Sequence, residues 1–368
     1  MDTNPLLRLR ARGQSIWLDD IHRRMLTDGS LAKLIQADGL AGLTSNPAIF
    51  AAAIMKHPEY AQVVAQLLPR VRNALELYEA IVLEDIGRAA DAFRATYDGS
   101  GGRDGFVSLE VSPHLAHDTQ GTISEGRRLW GRVERPNVMI KVPATQAGLG
   151  AITALLAEGV NVNVTLLFSA TRYQAVADAH LAGLEQRLAR GGTLSTLASV
   201  ASFFLSRIDT LVDHSLDEHA GQGRGEARAL RGRAAIACAA RAYDTFKRVT
   251  DSPRWRALTE RGARAQRLLW ASTSTKDKAY SDVKYVEELI AAETVNTLPL
   301  ETLNAFRDHG TLGAGLEPHR AEAARVVREL GKLGIDLEQV AQQLEAEGVT
   351  KFVQPFDQLQ QWLDERRR

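Results

Sequence analysis

The chain has a single cysteine, Cys238, among 368 residues. One thiol excludes an intramolecular disulfide, so stability must come from a packed core. Cys238 sits in the helical stretch AAIACAARAY, where a small core residue is a simpler reading than a nucleophile. Net charge is missing as well. The 45 basic and 45 acidic residues cancel, leaving no bulk field to attract nucleic acid or a membrane surface. No apolar run approaches the ~20 residues that cross a bilayer. The opening MDTNPLLRLRARGQS lacks the apolar segment of a secretory signal. The expected compartment is the reducing cytoplasm. There is no HExxH pair, no P-loop lysine motif and no dinucleotide-binding glycine fingerprint. HLAHD (114–118) does place two histidines three apart, but at a loop-to-helix junction they read as solvent-facing or helix-start residues. No metal and no cofactor are expected.

What the chain does have is an ordinary globular composition, 45% hydrophobic and 24% charged. Short β-type runs recur at 15–19, 42–45, 105–111, 137–142, 161–168, 197–204, 267–273 and 293–298. Helix-length segments such as 74–97, 170–191 and 321–334 lie between them, with apolar residues at helical spacing. Strands alternating with helices predict parallel pairing. Eight such units predict an α/β fold of the (β/α)8 TIM-barrel type with additional helices, spanning 1–368 as one domain. The length exceeds the ~250 residues usual for that fold. The excess is assigned to a helical insertion at about 50–97, the stretch 219–233 and extra C-terminal helices at about 300–368. Glycine-rich YDGSGGRDG (97–105) reads as a surface connector, and VTKFVQPF (349–356) as a segment that closes over the barrel mouth.

In such a barrel, functional groups come from the C-terminal ends of several strands. Those ends offer Asp19, Asn46, Glu110, Lys141, Asn163 with Thr165, and Ser202 with Arg207. Each has a plainer reading. Asp19 can cap the following helix, Thr44-Ser45-Asn46-Pro47 can be a turn and helix start, and Arg207 can be an exposed helical arginine. Glu110 can face solvent at a sheet edge, although a closed barrel has none. Lys141 resists such a reading. It interrupts the apolar run VMIKV in a chain whose basic residues are mostly arginine, and lysine is rarely buried without a partner. An ammonium drawn out of water gives up its proton more readily, and neutral amine attacks carbonyl carbon to form a Schiff base.

GLTSNPAIF (42–50) resembles the first signature of the transaldolase family, and VMIKVPATQAGLGAI (138–152) its second, which carries the Schiff-base lysine. NVNVTLLFS (161–169) and SFFLSRID (202–209) resemble two further segments in the same order. WLDD (17–20) and the chain length resemble the longer bacterial branch. The resemblance implies a class I aldolase-type barrel in which Lys141 forms the imine and Asp19 is the general acid/base at the C4 hydroxyl. Asp20 is disfavoured because its side chain should point to the other face. By the same resemblance, Glu110 and Thr165 hold the proton-shuttling water, while Asn46, Asn163 and Ser202 bind substrate hydroxyls. Arg207 grips phosphate. An additional arginine is often found after strand seven; here WASTSTKDKAY (270–280) offers Lys276 in its place.

The implied reaction moves a dihydroxyacetone unit from sedoheptulose 7-phosphate or fructose 6-phosphate to glyceraldehyde 3-phosphate or erythrose 4-phosphate, a step of the pentose phosphate pathway. Sugar phosphates are the expected partners, and the chain is expected as a monomer or homodimer. Two alternatives stand beside this one. A fructose-6-phosphate aldolase would carry glutamine on strand three and tyrosine on strand six; Glu110 and the substrate-facing Phe204 stand there instead. A non-catalytic sugar-phosphate-binding barrel should lack the lysine, the acid or the Glu/Thr pair.

Overall fold

A computed structural model describes residues 4–367. Eight strands form a closed, all-parallel barrel in sequence order: β1 Gln14–Asp19, β2 Gly42–Thr44, β3 Phe106–Glu110, β4 Val138–Pro143, β5 Val162–Leu167, β6 Ser199–Phe204, β7 Arg267–Ala271 and β8 Thr294–Leu298. All eight expected runs are strands, with ends that differ by two residues at most. Closure is made by β1 against β8, with Gln14 opposite Thr294 and Leu18 opposite Leu298. The strands read as near-continuous apolar runs because helices cover their outer face and side chains fill the inner one. One cluster of buried apolar residues runs from Leu6 to Leu363.

Register decides which side chains share the interior. Glu110 pairs with Lys141 and Lys141 with Asn163, so all three project to the same side of the sheet. The N-terminal end is closed by polar contacts around Arg267. Its guanidinium donates to Ser15 Oγ at 2.8 Å and to Asp104 at 2.9 Å, and Ser15 donates to Asp104 at 2.8 Å. The glycine-rich stretch is therefore more than a surface connector, since its Asp104 also accepts from Trp17 in the barrel interior. Trp17 fills space that only glycine leaves open. A Cβ on Gly42 would lie 2.6 Å from the indole ring.

Between β2 and β3 lie the helices Pro47–Lys56, Glu59–Leu67, Ala74–Ala92 and Arg94–Gly99. The stretch 219–233 holds the end of the helix Ser206–Gly221 and the 3-10 turn Gly225–Leu230. The last helix, Leu337–Glu365, contains Pro355 and packs on Pro47–Lys56, on Ala74–Ala92 and on β5. It crosses the C-terminal mouth. A Cβ on its Gly348 would meet Leu166 at 2.9 Å and Arg207 at 3.7 Å, and its Phe352 ring lies 5.9 Å from Lys141 Nζ. Leu166 itself has φ +61°, at the register shift between Val164 and Leu167. His114, expected to face solvent or start a helix, is half exposed in the 3-10 turn Pro113–Leu115 and also pairs with Asp357 of this helix at 2.7 Å.

Candidate active site

Lys141 is buried on β4, with 3% of its surface exposed. Its Nζ donates to the Ser45 carbonyl at 2.9 Å. Ser45 sits just past β2 and is held by its own Oγ donating to the Ser108 carbonyl at 2.7 Å. The partner one would expect for a buried ammonium, Glu110 on the adjacent strand, stops at 3.9 Å. That exceeds hydrogen-bond length. Neither carboxylate oxygen of Glu110 has a hydrogen-bond partner among the described residues. Burial pushes the Glu110 carboxyl up to about 7; Lys141 opposes that rise and Asp19 adds to it. Thr165 Oγ1 is buried and unpartnered too. Buried polar atoms are nearly always satisfied, so three such atoms around one lysine mark groups arranged for something other than stability.

Asp19 ends β1 and accepts from Thr44 Oγ1 at 2.6 Å. Thr44 Oγ1 also meets Thr297 Oγ1 at 2.8 Å, and since its own proton goes to Asp19, Thr297 must donate. Burial raises the Asp19 pKa above the ordinary carboxylate value; Lys141, the Thr44 bond and Arg207 hold it back. The helix-cap reading of Asp19 fails, because the helix Arg23–Thr27 is capped by His22. Asp20 has His22 and His57 among its charged neighbours, in keeping with a side chain turned to the other face.

Asn163 and Ser202 belong to one chain of hydrogen bonds. Ser202 Oγ donates to Asn163 Oδ1 at 2.7 Å, and Asn163 Nδ2 donates to Ser108 Oγ at 2.9 Å. Asn46 does what the plainer reading expected: its Oδ1 accepts from Ile49 N at 3.0 Å and caps Pro47–Lys56. That leaves its NH2 as the donor for other work. Arg207 is not an exposed helical arginine. Its Nη1 is buried without a partner, its guanidinium lies 5.3 Å from the Phe204 ring, and the charge nearest in effect is Glu347 of the last helix.

Lys276 stands apart from this group. It is exposed and donates to Ser274 Oγ at 2.7 Å, and it lines a cavity rich in acidic residues, Asp209, Asp213 and Asp217 among them. The Ser45 carbonyl, Thr44, Thr297, Ser108 and Phe352 were not legible as site residues. Their signal is three-dimensional, except that Thr44 and Ser108 share the inward parity of Glu110. Among the described residues one cluster combines metal-ligand types, His22, His57 and Glu59. It lies beside Asp20 rather than around Lys141.

The chain matches the family model described as Transaldolase/Fructose-6-phosphate aldolase over residues 16–363. A transaldolase of Frankia alni is 48% identical over 358 residues, covering 97% of this chain and 96% of that protein. One from Thermobifida fusca is 48% identical over 357 residues, with 97% and 96% covered. A protein named Transaldolase 2 from a Nostoc species is 45% identical over 375 residues, with 99% and 98% covered.

Proposed function

The chain belongs to the transaldolase/fructose-6-phosphate aldolase family, and from that premise we propose how its own residues carry out transaldolase chemistry on sugar phosphates. The Lys141 amine adds to the C2 carbonyl of a ketose phosphate. Glu110, protonated near neutrality by its burial, gives its proton to the carbinolamine hydroxyl. That oxygen leaves as water, and the iminium forms. Thr165 and Glu110 position the water that carries the proton.

Asp19 then takes the proton of the C4 hydroxyl. A carboxylate made more basic by burial is a better base for a sugar hydroxyl. The C3–C4 bond breaks, its electron pair moves into the iminium, and an aldose phosphate departs. The enamine remains on Lys141. When an aldehyde phosphate arrives, C3 attacks it, Asp19 returns its proton to the new alkoxide, and water releases the product ketose. Asn46, Asn163 and Ser202 hold the hydroxyls of the three-carbon unit. Arg207 binds the phosphate of donor and acceptor alike, its fork suited to phosphate oxygens. The last helix, with Phe352 over Lys141, shields the enamine from water and favours transfer over release.

Sedoheptulose 7-phosphate or fructose 6-phosphate serves as donor, with glyceraldehyde 3-phosphate or erythrose 4-phosphate as acceptor. The fructose-6-phosphate aldolase reading is disfavoured by Glu110 and Phe204 at the positions where that relative carries glutamine and tyrosine. No helix among the described residues is long and apolar enough to cross a membrane; a cytoplasmic setting is proposed because phosphorylated sugars are its substrates in this reading. The observation that carries the reading is a buried lysine beside an unpartnered, proton-holding carboxyl. Borohydride added with fructose 6-phosphate should fix a dihydroxyacetone-sized mass on the Lys141 peptide, and prior erythrose 4-phosphate should discharge it. An adduct on any other lysine sinks the assignment.

A further inference from the structure

The loop that leaves β1 passes Asp19 and Asp20 and reaches His22. The helix that Asn46 begins ends beside His57, and Glu59 starts the next helix. The two imidazoles stack with centroids 4.6 Å apart and planes 16° from parallel. Glu59 Oε1 lies 3.6 Å from His57 Nδ1 and is a buried oxygen with no hydrogen-bond partner. One donor atom from each of the three residues lies within 4.8 Å of the others. Their side chains are partly exposed, with 38% for His57 and 25% for Glu59, so an ion can reach them from solvent.

We propose that His22, His57 and Glu59 bind one divalent transition-metal ion of the zinc type beside the barrel mouth. Two imidazoles and one carboxylate, with water in the fourth position, are a recurrent zinc donor set. Two of the three ligands are held by neighbours that share a single anchor. Arg23, next to His22, donates to Asp85 at 2.8 Å, and Tyr60, next to Glu59, donates to the other oxygen of Asp85 at 2.8 Å. The Arg23 amide in turn donates to Tyr60 Oη at 2.8 Å. The backbones of His22 and Glu59 are thereby fixed to each other before any ion arrives, which is the preorganisation that metal sites need.

Binding has a local cost. His22 Nδ1 accepts from the Met25 amide at 3.3 Å, and coordination through either ring nitrogen gives up that long cap. The donors must also draw closer, since zinc–nitrogen bonds are about 2.0–2.1 Å, which rotation of the partly exposed side chains allows. In return the ion ties the loop behind Asp19 to the helix begun by Asn46. The inference does not depend on the Schiff-base assignment.

The probe is Zn2+ itself, titrated into chelator-treated full chain by calorimetry, with metal content and thermal melting measured in parallel. The unmodified chain should take up one saturable Zn2+ and melt a few degrees higher with it. His57→Gln and His22→Asn should each weaken binding by about tenfold or more and abolish the melting shift. Asparagine keeps a helix cap at position 22, so that variant should fold; Glu59→Gln serves if it does not. No saturable binding in the unmodified chain, or undiminished binding in these variants, overturns the site.

Discussion

At the N-terminal end of the barrel Arg267 meets Asp104 at 2.9 Å and Ser15 at 2.8 Å. At the other end Lys141 stops 3.9 Å from Glu110, and Arg207 Nη1 has no hydrogen-bond partner among the described residues. Both ends bury charge within one closed sheet, Arg267 at the start of β7 and Lys141 toward the end of β4. The lower end satisfies its ions with direct bonds and leaves unpartnered only neutral amide oxygens such as those of Gln14 and Gln266. The mouth leaves ionisable groups short of partners. A buried charge without a close partner is costly, and the cost is concentrated where substrate phosphate and carbonyl would supply what is missing. The contrast teaches that stability and chemistry have been sorted along the barrel axis.

The sharpest way to break that contrast is to make the same change at both ends. Lys141→Met should abolish transfer, since the imine cannot form, yet leave the melting temperature unchanged or raised, because a poorly paired buried charge is replaced by an apolar side chain. Arg267→Met should do the reverse. It leaves Asp104 with only the neutral donors Ser15 and Trp17 and no counter-charge, a loss on the order of 3–5 kcal/mol, while enzyme that remains folded keeps its activity. Denaturant melts and a coupled transfer assay on both variants decide the matter. If Lys141→Met destabilises as much as Arg267→Met, the mouth is as well satisfied as the base and the contrast fails.

The two ends were also unequally legible in sequence. All eight strands could be read because a parallel barrel buries both strand faces and so leaves continuous apolar runs. Lys141 stood out as the charged interruption of one such run. The base is opaque: Asp104 lies in a glycine-rich stretch that reads as a connector, and its partner Arg267 is 163 residues away along the chain. At the mouth the side-chain types were legible and their partners were not. Lys141 bonds a backbone carbonyl, that of Ser45, which no residue pattern records. Lys276 was singled out as a charge in the right loop, whereas the fold exposes it beside acidic residues. VTKFVQPF reads as a cover, and Phe352 does face Lys141; only the course of the last helix gives the segment that target.

A smaller change sharpens the comparison by titration. Glu110 holds its proton up to about 7 in the folded chain, against 4.5 for an ordinary glutamate. The folded state therefore binds more protons than the unfolded one between these values. The stability linked to Glu110 is complete below the lower value and is lost as pH rises through the upper one. Glu110→Gln should flatten that decline in pH-dependent denaturant melts. Its transfer rate should fall by about 10²–10⁴, and the alkaline limb of kcat/KM near 7 should vanish with it. A variant whose profile keeps that limb would show that another group supplies the proton.

The mildest test concerns the one mouth carboxylate that does have a close partner. Asp19 is held by Thr44, which is in turn held by Thr297 from the far side of the closure between β1 and β8. A hydroxyl donating to a carboxylate favours the ionised form, so this bond keeps Asp19 available as a base although burial works against it. Thr44→Val preserves shape and removes the donor. The Asp19 pKa should move further up, and the acidic limb of kcat should move with it, while the rate on the plateau falls only about tenfold because the carboxylate is still present. Thr297→Val acts one bond further away and should shift the same limb by less. Equal shifts from both variants would mean that the two threonines orient Asp19 as one unit, and no shift from either would mean that burial alone sets its basicity.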